Sequence, residues 1–247
     1  MQKSFFLLLC LTCIFTASAQ KSKTKAKLTE TSIVKDTSGN EYPYVVWKNL
    51  VASSDINFYP ENPSDENSAF IIRRLTKEEK QKLMDKMPMP HESKSFRTGA
   101  KLAAFNETDI NGNRYKLKDL KGKVIVINFW FINCPPCRME IPELNEMVAS
   151  YKDNKDVVFI GIALDEKYEI QEFLKIFPFD YNIIENGKNL ALSYRVNSFP
   201  THVVVDRDGK VKFHTAGLAK NTVYWIKRSM DEALAKPVAD TDVATVK

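Results

Sequence analysis

The 247-residue chain is 44% hydrophobic and 27% charged, which is the composition of an ordinary folded protein and excludes a disordered one. Its net charge is +5, and much of the excess comes from the lysines within residues 21–27. Aromatic residues do not alternate with a basic stripe, so the chain carries no footprint of nucleic-acid binding and we expect no nucleic-acid partner.

Residues 1–19 predict a signal peptide. Lys3 supplies a positive charge, Phe5 to Phe15 is an almost unbroken apolar run, and Ala17-Ser18-Ala19 is a small-residue cleavage site before Gln20. The apolar run is shorter than the roughly 20 residues that a membrane span needs. We therefore expect cleavage near Ala19 and a protein that is periplasmic or otherwise exported.

Two observations disfavour a lipoprotein or a membrane-anchored protein. A lipoprotein signal has small residues ahead of its cysteine, but Leu9 precedes Cys10 and Thr12 precedes Cys13. An uncleaved anchor would also need a longer apolar run.

Residues 20–98 predict an α+β extension or a small accessory domain, without a motif that carries chemistry. Thr76 and Glu79 fit a capping box, which predicts the start of a helix. In chain order, the expected elements are a hairpin with strands over 31–36 and 42–51 around Ser38-Gly39-Asn40, a polar, turn-rich segment over 57–67, a strand over 70–72 and a helix over 77–87.

Residues 99–237 predict an α/β domain, and residues 238–247 a loose tail. Apolar, β-branched runs at 124–130 and 157–163 are typical of strands buried on both faces. The order β-α-β-α, then a hairpin, then a helix predicts a central mixed sheet flanked by helices. The other expected elements are a hairpin turn at Asn111-Gly112, helices over 134–151, 166–176, 190–194 and 222–235, and a hairpin over 201–205 and 211–215.

Only two cysteines remain after the predicted cleavage, and they form Cys134-Pro135-Pro136-Cys137. Exported proteins that use disulfides as staples carry several, well separated in sequence, and so short a loop gains little stability on closure. A zinc site needs about four ligands, and the chain offers only three histidines besides this pair. The pair therefore indicates redox chemistry, and we expect no metal and no cofactor beyond the Cys134–Cys137 disulfide.

The position of Cys134 predicts which sulfur reacts first. A buried strand leads it to the first turn of a helix, where unpaired N–H groups and a partial positive charge favour a thiolate. Cys134 is therefore the expected nucleophile, and Cys137, one turn deeper, is expected to resolve the mixed disulfide. Pro135 and Pro136 remove two N–H donors to the Cys134 sulfur, which favours a moderately stabilised thiolate and a reducing pair.

Residues 128–142, from Asn-Phe-Trp through Cys-Pro-Pro-Cys to Glu-Ile-Pro, resemble the TlpA/ResA-like thioredoxin family of thiol–disulfide oxidoreductases, within the AhpC/TSA–redoxin-like superfamily. Residues 119–123, 198–201 and 203–209 are also similar to that family. The resemblance covers residues 99–235 and leaves 20–98 unplaced. It implies a thioredoxin-like fold and a protein-disulfide reductase or oxidoreductase.

The resemblance also implies that the Phe199–Pro200 bond is cis and lies beside the two sulfurs. The backbone before this proline would pair with an extended substrate peptide. The residues expected to contact substrate are Trp130, Pro135, Pro136, Phe199 and Pro200.

One departure concerns the acid–base group. Thioredoxin has a buried Asp at the position of Asn128. An asparagine side chain cannot ionise, so Asn128 cannot take over the role of that Asp. Glu140 lies three residues after Cys137, so the two share a helix face, and the family is thought to use this glutamate to tune its cysteines. We predict that Glu140 is an acid–base group, although it could merely complement the helix dipole. His202 is expected on the surface of its strand.

The predicted function is reduction of disulfides in other exported proteins, with apocytochromes among the candidates. Such a pair must be kept reduced in an oxidising compartment, which implies a membrane thiol–disulfide electron donor. The alternatives are a disulfide oxidase, a thiol peroxidase and, from a different class, a copper-binding chaperone, since soft thiolates suit Cu(I).

Overall fold

The computed structural model describes residues 25–236, so the predicted signal peptide, with Cys10 and Cys13, and the predicted tail lie outside the described residues. The chain divides into two compact units. The smaller unit consists of the described residues up to Tyr44 together with Phe58–Ile72, and the larger unit consists of Val45–Asn57 and the chain from Arg73 onward. The predicted boundary between residues 98 and 99 stays a prediction.

The helices and strands are numbered here in chain order. The strands are β1 Val34–Lys35, β2 Glu41–Tyr42, β3 Ile56–Pro60, β4 Phe70–Arg74, β5 Asn106–Thr108, β6 Arg114–Lys116, β7 Val124–Trp130, β8 Val157–Ala163, β9 Asn182–Ile184, β10 Thr201–Val205 and β11 Val211–Ala216. The α-helices are α1 Tyr44–Trp47, α2 Lys77–Lys86, α3 Pro135–Ser150, α4 Lys167–Ile176, α5 Lys188–Ser193 and α6 Thr222–Leu234. A short 3₁₀ helix covers Leu117–Leu120.

The first sheet has the strand order β2-β1-β4-β3. β1 pairs antiparallel with β2 across a turn in which Gly39 has a φ of 88°, a conformation that favours glycine. β1 also pairs in parallel with β4. The buried side chains of this sheet are Val34, Phe70 and Ile72, which explains why such short strands are stable together.

Two predictions in this region were wrong. The second hairpin strand was expected to continue to residue 51, but β2 ends at Tyr42 and α1 begins at Tyr44. Pro43 lies between them, and proline has no N–H to donate to a strand partner. The segment from residue 57 was expected to be turn-rich, but its first residues belong to β3.

The central sheet of the larger unit has the order β11-β10-β7-β8-β9. β7 is the middle strand; it is buried along its whole length, runs parallel to β8 and pairs antiparallel with β10. The predicted mixed sheet is therefore confirmed. β9, a three-residue edge strand parallel to β8, was not predicted.

Alternate residues of β7 point into two different apolar cores. Val124, Val126 and Trp130 lie in a core completed by buried residues of α3, α4 and α6. Ile125 and Ile127 lie in a second core, which is completed by residues from the segment ahead of β5 and from α5. Because both faces of the sheet are covered, the strand reads as a continuous apolar run.

Helix α3 buries one face, and Met139 lies outside it with 41% of its surface exposed. The buried positions follow the spacing of one helical face and include a carboxylate: they are Cys137, Glu140, Ile141, Leu144 and Met147. The helix therefore carries an acidic side chain into the interior directly behind the cysteines.

Candidate active site at the start of helix α3

Cys134 and Cys137 form a disulfide at the N-terminus of α3, with their Cα atoms 5.3 Å apart. Cys134 is the N-cap residue, and Pro135 and Pro136 occupy the first helical turn. The sequence thus predicted correctly how β7 leads into this helix. Both cysteines are buried, with 2% and 1% of their surfaces exposed.

The two prolines determine which backbone groups can reach the Cys134 sulfur. Neither proline has an N–H, so the first helical N–H available is that of Cys137, and it donates to Cys134 Sγ over 3.2 Å. A helix N-terminus with one N–H aimed at the sulfur favours the thiolate, but less than a set of several donors would.

Asp165, which was not predicted, fixes the loop that precedes Cys134. It lies just after β8, and its carboxylate accepts the N–H of Ile132 over 2.8 Å. Burial raises the pKa of Asp165, and the Ile132 N–H opposes that shift only in part. The sequence signal was weak: an acidic residue two positions beyond a buried strand, at the same sheet edge as Cys134.

The Phe199–Pro200 peptide bond is cis, as the resemblance implied. The Phe199 ring packs edge-on against Phe131, with centroids 5.4 Å apart, three residues before Cys134. Pro200 is buried and opens β10, whereas Phe199 is only partly buried. A partly exposed aromatic pair therefore borders the disulfide loop.

The other predicted substrate contacts differ in exposure. Pro135 is exposed and Pro136 is half-buried, so both can meet a partner. Trp130 is fully buried and packs against Phe173 and Phe179. Its side chain is therefore part of the core, and its role as a substrate contact stays a prediction.

Glu140 is paired with a histidine. Its Oε2 lies 2.7 Å from Nε2 of His202, and 4% of Glu140 and none of His202 is exposed. The expectation that His202 lies on the strand surface was therefore wrong. Helix α6 packs on β10, and Glu140 of α3 reaches His202, which explains the burial of this side chain.

Further buried polar groups surround this pair. Asn128 is the ladder partner of His202 on β7, and neither atom of its amide has a hydrogen-bond partner among the described residues. Tyr181 is also buried, and its pKa is raised far above the ordinary value first by burial and then by the negative charge of Glu140. The Tyr181 phenol therefore stays protonated throughout the working pH range.

Glu140 also lines a cleft of about 260 Å³. Its walls include Glu143 on α3 and Asp55 in the segment Val45–Asn57. Lys80 on α2 binds both carboxylates, at 2.9 Å from Glu143 and 2.6 Å from Asp55. Burial opposes the charge of Lys80, but these two bonds outweigh it and raise its pKa, so Lys80 stays charged.

Comparison with known proteins identifies the family. The model of the AhpC/TSA family matches residues 98–214. ResA, a thiol–disulfide oxidoreductase from a strain of Bacillus cereus, is 34% identical over 122 residues, which are 49% of this chain and 70% of ResA. The chain belongs to the AhpC/TSA family. A further relative of this AhpC/TSA protein is the thioredoxin-like protein YneN of Bacillus subtilis, 29% identical over 49% of this chain and 74% of YneN.

Solved structures agree on the fold of this AhpC/TSA protein. A Chlorobium tepidum chain assigned as the thiol:disulfide interchange protein DsbE superposes with a TM-score of 0.51 and 28% identity, over 56% of this chain and 99% of that one. A Bacteroides thetaiotaomicron chain assigned as a protein disulfide isomerase superposes with a TM-score of 0.54 and 25% identity, over 60% of this chain and 96% of that one. The predicted thioredoxin-like fold is confirmed.

The relatives also establish the general activity. This AhpC/TSA protein is a thiol–disulfide oxidoreductase, and its substrates are protein thiols and disulfides. Within residues 25–236, no helix has both the length and the apolar character of a membrane span. In the same part of the chain, no three His, Cys, Asp or Glu side chains are grouped as metal ligands.

Proposed function

We propose that the chain is an exported protein-disulfide reductase in which Cys134 and Cys137 exchange with the substrate. The observation that carries this proposal is the disulfide at the N-terminus of α3, bordered by the Phe131–Phe199 aromatic pair. In that position, a substrate peptide can approach Cys134 while Cys137 stays behind it in the helix.

The proposed reaction begins with the reduced pair. The Cys134 thiolate attacks a substrate disulfide and forms a mixed disulfide, while the first substrate sulfur leaves as a thiolate and takes up a proton. Cys137 then loses its proton, and its thiolate attacks Cys134 Sγ. The second substrate sulfur leaves and is protonated, so the substrate gains two electrons and two protons and the protein ends as the disulfide.

Glu140 is the proposed acceptor of the Cys137 proton. It lies one helical turn from Cys137 on the same buried face, and side chains three residues apart on a helix have Cβ atoms about 5–6 Å apart. A glutamate carboxylate is a common general acid or base in enzymes. The alternative role of complementing the helix dipole fits less well with a side chain that is 4% exposed.

The reducing direction is supported by the backbone around Cys134. Pro135 and Pro136 leave the Cys137 N–H as the helical donor to the sulfur, which limits thiolate stabilisation. Strong oxidants owe their potential to a highly stabilised reduced form. A reductase in an oxidising compartment needs a source of electrons, so the proposal includes a membrane thiol–disulfide donor.

The equilibrium reduction potential decides between reductase and oxidase. We expect a value near the roughly −270 mV of thioredoxin, measured by equilibrating the protein with reduced and oxidised dithiothreitol. A value near the roughly −120 mV of DsbA would contradict the reducing direction and assign the chain as a disulfide oxidase.

Trapping identifies the physiological substrate and tests the order of attack. Cys137→Ala is expected to accumulate mixed disulfides through Cys134, visible as bands that disappear on reduction. Cys134→Ala is the matched control and is expected to trap far less. Equal trapping by both variants would show that Cys134 is not the sulfur that attacks first.

A further inference from the structure

The two oxygens of the Glu140 carboxylate have different surroundings. Oε2 lies 2.7 Å from Nε2 of His202, whereas Oε1 is buried and has no hydrogen-bond partner among the described residues. The contact joins residues 62 positions apart in the sequence, so the fold of β10 against α3 creates it. One carboxylate oxygen is therefore held, and the other is available.

The charge on the carboxyl group determines which atom carries the proton. An ionised Glu140 can only accept hydrogen bonds, and in that state the Nε2 of His202 is the donor. Nδ1 of His202 has no hydrogen-bond partner in residues 25–236, which is compatible with a neutral ring protonated at Nε2. An ionised carboxylate without this donor would be costly in an interior where Glu140 is 4% exposed.

We propose that His202 is a positioning residue for the redox reaction: its Nε2–H holds Oε2 of Glu140 and leaves Oε1 as the atom that receives the Cys137 proton. The proposal rests on the proposed function, because it concerns the step in which Cys137 becomes a thiolate. It goes further by assigning a role to a residue outside the Cys-Pro-Pro-Cys helix.

In that step the proton moves from Cys137 Sγ to Glu140 Oε1, and the Nε2–H···Oε2 bond is present before and after the transfer. The Cys137 thiolate then forms the bond to Cys134 Sγ, and the bond between Cys134 Sγ and the substrate sulfur breaks. The electron pair of the broken bond stays on the substrate sulfur. That sulfur leaves and takes up the proton that Cys137 released. His202 neither gains nor loses a proton.

The charged groups around this pair lie on several elements. Lys80 forms ion pairs with both Glu143 and Asp55, and the Tyr181 phenol stays protonated. The titratable groups near Glu140 are Cys137, Glu143 and Glu146 on α3, Tyr181 ahead of β9, Asp55 in the segment Val45–Asn57, Lys80 on α2 and Lys220 ahead of α6, which binds the Ile56 carbonyl. The reacting unit is therefore Cys137, Glu140 and His202.

The test measures how fast Cys137 resolves a mixed disulfide between Cys134 and thionitrobenzoate, as a function of pH. In His202→Phe, Glu140 loses its donor and its ionised form becomes costly. We expect the pH midpoint of the resolution rate to rise by at least about one unit. Below that midpoint, the release of thionitrobenzoate therefore slows about tenfold. Glu140→Gln is expected to slow release in the same pH range.

Three further variants make the test specific. His202→Gln retains an N–H donor and is expected to restore most of the wild-type profile. His202→Phe in the Glu140→Gln background is expected to add little, because the two residues act as one unit. His214→Phe, a change at another buried histidine on the adjacent strand β11, is expected to leave the profile unchanged.

A wild-type profile in His202→Phe would overturn the proposal, and so would an equal effect of that change with and without Glu140. In either case, persisting release by Cys137 would leave the proposed function intact. Loss of resolution in wild-type protein would instead refute the proposed function itself. The two failures are thus distinguishable.

A measurement on the unaltered protein covers the case in which His202→Phe does not fold. Nitrogen-15 NMR of the histidine rings reports which nitrogen carries the proton. We expect His202 to be protonated at Nε2 in both the oxidised and the reduced protein. Protonation at Nδ1 alone would make Nε2 an acceptor, which would overturn the proposal.

Discussion

Two histidines on adjacent strands show how local contacts decide the role of a residue. Nε2 of His202 lies 2.7 Å from a carboxylate oxygen of Glu140, whereas neither ring nitrogen of His214 has a side-chain partner among the described residues. Burial lowers the pKa of His214 below its ordinary 6.5, and the charge of Glu92 and a backbone contact at Ser93 offset this only in part. His214 is therefore neutral in the folded protein at neutral pH.

This shift predicts the pH dependence of stability. Below about pH 6.5, the unfolded chain takes up a proton at His214 that the folded chain does not, so the free energy of unfolding decreases as the pH falls through that value. His214→Phe is expected to reduce this decrease. Urea unfolding at about pH 7.5 and about pH 5.5 measures it, and an equal decrease in both proteins would contradict the assignment.

For single residues, the sequence predicted that Cys137 and Glu140 lie on one face of α3, but not that His202 contacts Glu140. The spacing of Cys137 and Glu140 indicated a shared face, and both are buried on that face. The partnership of Glu140 with His202 depends on tertiary packing across 62 positions, for which a local pattern carries no signal.

Among the elements, α2 has the best-defined start. Thr76 accepts the N–H of Glu79, and the Glu79 carboxylate accepts the N–H of Thr76, so the predicted capping box is confirmed. Arg73 also binds Glu79 with both guanidinium nitrogens, at 2.7 and 2.8 Å. These contacts tie the end of β4 to the helix that carries Lys80.

The Glu79 contacts predict a loss of stability in acid. The Arg73 guanidinium, followed by the Thr76 N–H, lowers the pKa of Glu79 from 4.5 to about 2. A lowered acid pKa stabilises the fold above about pH 4.5, and this contribution is lost as the pH falls through about 2. Glu79→Gln is expected to flatten the acid side of the curve of thermal midpoint against pH. An unchanged acid side would refute the role of this carboxylate.

The elements that the sequence predicted well are those with strong local patterns. β7 and β8 were predicted with their observed bounds, since continuous β-branched runs indicate buried strands. β9 has three residues and gave too short a pattern, although it completes the sheet. Residues 42–51 were misread because the valines favoured a strand, whereas Pro43 ends the ladder there.

For the whole molecule, the sequence did not predict that segments of the two units alternate along the chain. The segment Val45–Asn57 belongs to the larger unit although it is flanked by segments of the smaller one. Its carboxylate at Asp55 lines the cleft beside Glu140 and binds Lys80. Neither contact has a sequence signature, because each depends on a side chain far along the chain.

Export is a property of the whole protein, and it has a direct test. If the protein is produced with its own N-terminus in a bacterium that has a periplasm, we expect a periplasmic product beginning at Gln20. Intact-mass spectrometry of that fraction reads the first residue. A cytoplasmic product beginning at Met1, or a lipid-modified product beginning at Cys10 or Cys13, would contradict the predicted cleavage.

The redox role of Cys134 and Cys137 is tested most directly by the rate at which the reduced protein reduces disulfide-bonded insulin. We expect Cys134→Ser to lower that rate to the background set by the reductant alone, while its circular dichroism stays that of the wild type. Cys137→Ser is expected to form the mixed disulfide once and then stop. A folded Cys134→Ser variant that reduces insulin at the wild-type rate would show that Cys134 is not the reactive sulfur.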